Sequence, residues 1–368
     1  MKIAVLSSHT PSLFWFRMDM MKEFQRRGNT VIAVGNESEN EWSEKFRQNG
    51  IRYIATGIQR NGTNPLKDII AYRSIKKILK MERPDKIFMY QAKTVIYGGM
   101  AAYKLKYFDT YPLIAGIGSI FLSNTLKTKL IRAILVAEYR IGMKHAKKVF
   151  FQNPDDVEEF CKYKIVSPEK VVMLNGSGVN LEKFNPLPLP KNPTFLCISR
   201  LIRDKGIYEY LQAAKLVKEQ HPGARFMLVG PYDTNPSALK PEELQPYIDS
   251  GIIEYFGEQS DVRPYIAQCS VFVLPSYREG TPKTVLEAMA CERAIITTDA
   301  PGCRETVTDG ENGYLVPIKD VSALAKRMID LLLQPKLVEQ MASCGRRVVE
   351  EKFDVIKVNS KICDTMEI

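Results

Sequence analysis

At 368 residues, 45% of them hydrophobic and 26% charged, the chain has a globular composition and more length than one core uses, which excludes a disordered or fibrous protein and implies two domains. Its seven cysteines include no C-x-x-C pair, the usage of buried thiols in a reducing cytosol rather than of a disulfide scaffold. The net charge of +10 directs attention to anionic partners, either a membrane surface or nucleic acid.

Met1-Lys2-Ile3-Ala4-Val5-Leu6 enters a strand at once, with no secretory apolar region, and no window holds the ~20 apolar residues that cross a bilayer. Residues 3–7, 30–35, 52–56, 85–90, 112–114 and 148–152 read as strands. Between them lie helices such as residues 16–27, which Gly28 ends at the C′ position. Alternation of this kind implies an α/β fold with a parallel sheet wrapped by helices. After the first strand comes Ser8-His9-Thr10-Pro11-Ser12, a loop placed where ligands approach such a sheet, so His9 is a site candidate. His145, ahead of the strand at 148, reads as structural, and His221 as part of a surface turn before Pro222.

Two helical stretches of this half concentrate the charge. Residues 60–148 hold 18 Lys and Arg against 5 Asp and Glu, a net of +13 that leaves −3 for the rest of the chain. Residues 66–83 set Ile69, Ile70, Ile75, Ile78 and Leu79 against Arg73, Lys76, Lys77, Lys80 and Arg83; residues 126–148 set Leu130, Ile131, Ile134 and Leu135 against Lys129, Arg132, Arg140, Lys144 and Lys148. Each is expected to pack its apolar side on the sheet, with the surplus cations facing an anionic membrane at ~1 kcal/mol per charge. Nucleic acid is not expected as a partner, because no aromatic stacking platform or recognition motif accompanies the cations.

The pattern restarts after Asn175-Gly176-Ser177-Gly178-Val179-Asn180 and the proline-rich residues 185–193, which read as a domain boundary and hinge. Thr194-Phe195-Leu196-Cys197-Ile198 has the pattern of a buried strand and runs into Ser199-Arg200-Leu201-Ile202-Arg203-Asp204-Lys205-Gly206, ahead of a helix over 208–219. Guanidinium offers a fork for two phosphate oxygens and ammonium a mobile charge, so Arg200 and Lys205 suit a diphosphate. A second buried strand, Val271-Phe272-Val273-Leu274-Pro275, leads to Glu279-Gly280-Thr281-Pro282-Lys283-Thr284-Val285-Leu286-Glu287. With Pro282 as the first helical residue, the amides of Lys283, Thr284 and Val285 would form an anion cradle reinforced by the helix dipole. Glu287, one turn in, has the reach to put both carboxylate oxygens on a vicinal diol such as a ribose, with Glu279 nearer a second group. The competing reading is two glutamates that merely favour a helix N-terminus.

Together these elements resemble family 4 of the glycosyltransferases, retaining enzymes that use nucleotide sugars and have the GT-B fold, two Rossmann-like doubly wound parallel-sheet domains facing across a cleft. The resemblance implies Glu279 at the donor-sugar hydroxyls, Glu287 on the nucleotide ribose, Arg200 and Lys205 on the diphosphate, and Gly280, Thr281, Pro282, Lys283 and Thr284 around the nucleotide sugar. Asp299-Ala300-Pro301-Gly302-Cys303-Arg304-Glu305 and Asp309-Gly310-Glu311-Asn312-Gly313-Tyr314-Leu315-Val316 match the family's final pieces. Asp233-Thr234-Asn235-Pro236-Ser237 with residues 302–305 narrows the likeness to enzymes that add N-acetylgalactosamine or a similar hexose to an undecaprenyl-diphosphate-linked sugar in bacterial glycan assembly. It implies a donor domain over 179–352 and an acceptor domain over 1–178 joined by a returning helix at 353–368. The acceptor would lie near His9, Phe16, Arg17 and Gly118.

No G-x-G-x-x-G follows either first strand, no P-loop is present, and no two aspartates stand two residues apart, which argues against a dinucleotide oxidoreductase and against the metal-binding D-x-D of other transferases. The expectation is therefore a metal-independent transferase without a cofactor, taking a UDP-sugar as donor and a lipid-linked sugar as acceptor at the inner face of the cell membrane. Open alternatives are a GDP-mannose-dependent mannosyltransferase or sugar-nucleotide epimerase of the same fold, and a non-enzymatic basic membrane-binding module.

Overall fold

The structure, a computed structural model, describes all residues except 59–64, 108, 118–120, 122–124 and 235–236. The chain divides into two compact units, Met1–Ser177 with Val355–Ile368, and Gly178–Asp354.

In the first unit β1 (Lys2–Ser7), α1 (Thr10–Arg26), β2 (Thr30–Gly35), α2 (Glu39–Arg47), β3 (Arg52–Ala55), α3 (Pro65–Glu82) and β4 (Lys86–Tyr90) follow one another. A π-helical turn, Thr94–Gly98, continues directly into α4 (Gly99–Lys104). Then come β5 (Thr110–Ile114), α5 (Leu126–Met143), β6 (Val149–Phe151), α6 (Pro154–Lys162) and β7 (Val171–Met173). All seven strands are parallel, in the order β3-β2-β1-β4-β5-β6-β7. Ile3, Ala4, Val5 and Leu6 are all buried although their side chains alternate in direction, because helices cover both faces of the sheet. The order reverses between β1 and β4, so the loops leaving those two strands diverge and open a crevice at the carboxyl edge.

The second unit repeats the plan with β8 (Thr194–Ile198), α7 (Ile207–Gln220), β9 (Arg225–Val229), α8 (Pro241–Asp249), β10 (Glu254–Tyr255), α9 (Arg263–Ile266), β11 (Val271–Leu274), α10 (Lys283–Ala290), β12 (Ala294–Thr298), β13 (Gly313–Val316), α11 (Val321–Leu333) and α12 (Pro335–Val348). Its six parallel strands run β10-β9-β8-β11-β12-β13, and its reversal falls between β8 and β11. The last helix, α13 (Val355–Met366), buries Val358, Ile362, Cys363 and Met366 in the first unit beside Ile3, Phe24 and Phe150. The proline-rich stretch 185–193 is tied to the second unit: the fully buried Arg293 donates to the carbonyls of Leu187 at 2.9 Å and Pro188 at 3.1 Å.

The structure departs from the sequence expectations in four places. Helix α1 begins at Thr10, not 16, because Pro11 stands second in the helix, within the first turn where its missing N–H is harmless, rather than acting as a turn residue. Strand β7 has three residues, none buried, and so carries no pattern to read. Helix α5 ends at Met143, leaving Lys144 and Lys148 outside it. The apolar sides of the two basic helices do not all face inward: Ala71, Ile75 and Leu79 of α3 and Val136, Tyr139 and Met143 of α5 are buried, whereas Ile69, Ile70, Leu130 and Ile134 are 47%, 61%, 65% and 55% exposed. Both helices pack on the π-turn and α4, and the buried residues of both join one core with the strands beneath. The contact between α4 and α5 is tight at Gly99 and Gly142, where a Cβ on Gly99 would lie 1.9 Å from the Gly142 carbonyl oxygen.

Candidate functional site

Arg200 and Lys205 leave β8, and Glu279 leaves the adjacent β11, so the parallel register delivers all three to one sheet edge at the reversal point of the second unit. Backbone bonds stitch the two loops together. The Tyr277 amide donates to the Asp204 carbonyl at 2.9 Å, and the Ser276 hydroxyl donates to the same oxygen at 3.2 Å. Gly206, at φ +69°, makes room for this approach, since a Cβ there would stand 2.0 Å from the Pro275 carbonyl oxygen.

Within this frame Lys205 Nζ donates directly to Glu279 Oε1, and both side chains are largely buried. Arg200 Nη1 donates to Asp233 Oδ2 at 2.7 Å, a carboxylate supplied by the loop after β9. The loop after β12 closes the other side: the Glu279 amide donates to the Pro301 carbonyl at 2.9 Å, and a Cβ on Gly302 would lie 2.3 Å from the Glu279 carbonyl oxygen. Gly302 also stands at φ +84°, so the position selects glycine twice over, by conformation and by space.

Pro282 is the residue before α10, not its first helical residue, with φ −72° and ψ 108°. Its carbonyl accepts the Val285 amide at 3.1 Å and the Leu286 amide at 3.3 Å, so the cradle expected from Lys283, Thr284 and Val285 contracts to the amides of Lys283 and Thr284. Glu287 is only 8% exposed. Burial pushes its pKa up to about 7, opposed by the charge of Lys283, whose Nζ is 4.0 Å away, and by Lys183, and reinforced by Asp261. Gly280 and Thr281 sit in the turn between Glu279 and α10.

In the first unit the candidates lie at the corresponding edge. His9 caps α1 from an extended backbone, its carbonyl accepting the hydroxyls of Ser7 at 3.0 Å and Ser12 at 2.9 Å. Phe16 is 47% exposed. Arg17, by contrast, is buried over the Tyr90 ring, 5.0 Å from its centroid; burial lowers its pKa to about 10, with Tyr90 acting the other way. Gly118 lies outside the described residues, as do Asn235 and Pro236 of the 233–237 motif. His145 stacks flat on Tyr103 at 4.1 Å.

Two residues that sequence reasoning passed over organise these edges. Asp233 was part of a noted motif but not seen as the partner of Arg200, since the two stand 33 positions apart. Gln91 follows β4 with φ +75°; its Oε1 accepts the Ser7 hydroxyl at 2.9 Å, the Ser8 amide at 3.0 Å and the Ser8 hydroxyl at 2.9 Å, and its Nε2 donates to Ser12 Oγ at 3.0 Å. No local pattern announces a glutamine that clasps a loop across two neighbouring strands. Among the described residues no group of three or more His, Cys, Asp or Glu is placed to hold a metal ion.

Comparison with known proteins places this geometry. The family model described as "Glycosyl transferases group 1" matches residues 192–334, and that described as "Glycosyl transferase 4-like" matches residues 2–153. The chain is 30% identical over 351 residues to N,N'-diacetylbacillosaminyl-diphospho-undecaprenol alpha-1,3-N-acetylgalactosaminyltransferase of Campylobacter jejuni, covering 92% of this chain and 91% of that one. It is 24% identical over 319 residues to UDP-Gal:alpha-D-GlcNAc-diphosphoundecaprenol alpha-1,3-galactosyltransferase of Escherichia coli, covering 81% and 79%. In fold it is similar to Anabaena HepE in complex with UDP-glucose, with a TM-score of 0.79 at 17% identity over 100% of this chain and 99% of that one. Two all-parallel sheet units, each reversing its strand order at the edge where the candidate residues gather, and a relative matched over nearly the whole length establish that the chain belongs to family 4 of the glycosyltransferases, enzymes of the GT-B fold.

Proposed function

We propose that this glycosyltransferase moves a hexose or N-acetylhexosamine, galactose or N-acetylgalactosamine in the first instance, from a UDP-sugar to a polyprenyl-diphosphate-linked sugar, with retention at the anomeric carbon and without a metal ion. The observation that carries the reading is the convergence of Lys205, Glu279 and Arg200 at one sheet edge beside the N-terminal turn of α10. The activities for which the Campylobacter and Escherichia relatives are named support the acceptor class.

As the donor's glycosidic bond breaks, negative charge grows on the outer phosphate of the leaving nucleotide. Cations and amides fixed there stabilise the transition state more than the ground state. Arg200, Lys205 and the amides of Lys283 and Thr284 take that role, with no protein nucleophile required for same-face attack. In the absence of donor, Lys205 and Glu279 neutralise each other; with donor bound, Lys205 turns to the diphosphate and Glu279 to the sugar hydroxyls. Glu287 accepts both ribose hydroxyls. The acceptor sugar binds the first unit near His9 and Phe16, with Arg17 beneath as a positioning residue through Tyr90. The cations of α3 and α5 hold the enzyme on the inner, anionic face of the membrane.

A nucleotide-release assay across a panel of UDP- and GDP-sugars, with and without a polyprenyl-diphosphate sugar, tests the reading. Release should require a UDP-sugar and the lipid-linked acceptor together, and Arg200→Ala should lower turnover by ~10²-fold or more. Release that is indifferent to the acceptor, restricted to GDP-mannose, or unchanged in that variant overturns it.

A further inference from the structure

The first unit contains a pocket of about 1220 Å³ that none of the proposed catalytic residues lines. It runs between α3, α4 and α5, and its walls are chiefly apolar, formed by Ile69, Tyr72, Met100, Ile131, Ile134 and Leu135. At one end it reaches the carboxyl edge of the sheet, where Ser8, Gln91 and Gly116 complete it. At the other it merges with the uncovered apolar residues of the two basic helices, for Ile69 and Ile134, which line it, are 47% and 55% exposed, and Leu130, one turn before Ile134, is 65% exposed.

We infer that this pocket holds the first isoprene units of the lipid-linked acceptor, threading the hydrocarbon from the sheet edge, where the diphosphate and sugar sit, out between α3 and α5. The inference rests on the acceptor class proposed above and assigns that acceptor's tail a place. Three observations carry it. First, the volume, about 1220 Å³, exceeds the roughly 300–1,000 Å³ typical of small-molecule sites, and its lining joins a polar sheet edge to an apolar surface, as an amphiphile requires. Second, four of the polar groups that line it are paired with one another: Lys93 Nζ donates to Asp68 Oδ1 at 2.7 Å, and the Tyr97 hydroxyl donates to Glu138 Oε1 at 3.4 Å. Burial and the Asp68 charge hold the Glu138 pKa above the ordinary carboxyl value, with Lys93 acting against them. A hydrocarbon entering the pocket leaves these two pairs intact, whereas a polar ligand that engaged them would have to break their bonds. Third, the exposed cations Arg73, Lys77 and Lys80 on α3 and Lys129 and Arg140 on α5 belong to the same two helices as the apolar strip and complement the anionic lipids around it.

The test compares the full-length enzyme on two acceptors in detergent, one with a long polyprenyl chain and one with a short, water-soluble alkyl chain carrying the same diphosphate sugar. The wild type should favour the long chain by about tenfold or more in kcat/KM, chiefly through KM. Ile131→Trp, which narrows the pocket, and Ile134→Glu, which charges its wall, should erase that preference while leaving the short-chain kcat/KM and UDP-sugar affinity unchanged; Ile134→Leu should retain it. Equal use of both chains by the wild type, or an equal loss on both in the variants, overturns the pocket. So does a preference that persists in Ile134→Glu while binding to anionic vesicles falls, because the strip would then dock on a bilayer rather than hold one chain. If no polyprenyl-diphosphate sugar is turned over at all, the acceptor proposal fails by itself, and thermal protection by farnesyl diphosphate decides the pocket: protection abolished by Ile131→Trp sustains it, and no protection ends it.

Discussion

Replacing Glu287 with glutamine separates what the carboxyl group does for the folded protein from what it does for the donor. The folded pKa of about 7 against an ordinary 4.5 means that the folded protein retains a proton which the unfolded chain has released. The group's contribution to stability is therefore fully present below about pH 4.5, is lost as the pH rises to about 7, and stays lost above it. A difference of about 2.5 units at about 1.4 kcal/mol each sets a ceiling on the order of 3 kcal/mol. Glutamine carries no such dependence. The Tm advantage of Glu287→Gln over wild type, measured without donor, should thus grow by about 5 °C between about pH 5 and pH 8.5, at roughly 2–4 °C per kcal/mol for a unit of this size. With donor present the order should invert. A carboxylate accepts two hydroxyl protons and an amide cannot match it, so UDP-sugar affinity in the wild type should improve with pH up to about 7, and in the variant should be weaker and flat. A Tm gap that is the same at both pH values would refute the buried, proton-retaining carboxyl, and a donor affinity unaffected by the substitution would refute its ribose role.

The remaining predictions concern the frame around the site. Gly302→Ala should lower the Tm of the second unit and reduce kcat, since the new methyl must displace the Glu279 carbonyl from 2.3 Å and the positive φ costs about 1–2 kcal/mol in a non-glycine residue; thermal melts and turnover at saturating donor check both. Lys205→Ala and Glu279→Gln should each reduce kcat by about a hundredfold, yet the double variant should lose much less than the product of the two losses, because the side chains act as one pair. Gln91→Ala should raise the KM for acceptor several-fold with donor affinity unchanged, because the loop at 7–12 loses the side chain that accepts from Ser7 and Ser8 and donates to Ser12.

The elements most legible in the sequence were those whose signal is local. Runs such as Phe195-Leu196-Cys197-Ile198 are buried on both faces and read as parallel-sheet strands without any knowledge of neighbours. Because strand ends and helix starts follow from the same runs, the order of elements also placed Arg200, Lys205 and Glu279 on a common edge, with Glu287 on the helix that follows. Boundaries were less legible where one residue type serves two purposes. Pro11 opened a helix that looked like a loop, while Pro282 stood before one that it was expected to begin.

Residue order and spacing were enough to determine two alternating α/β halves, the basic character of one of them, and the loops that bear the charged candidates, since each of these depends on neighbours in the chain. Only tertiary structure decided which charges meet: Lys205 with Glu279 across 74 positions and Arg200 with Asp233 across 33, pairings set by strand order rather than by sequence distance. It alone decided, too, that Ile69 and Ile134 remain uncovered beside a pocket. Helical periodicity records which side of a helix is apolar, but whether another element lies against that side depends on where the whole chain has already packed.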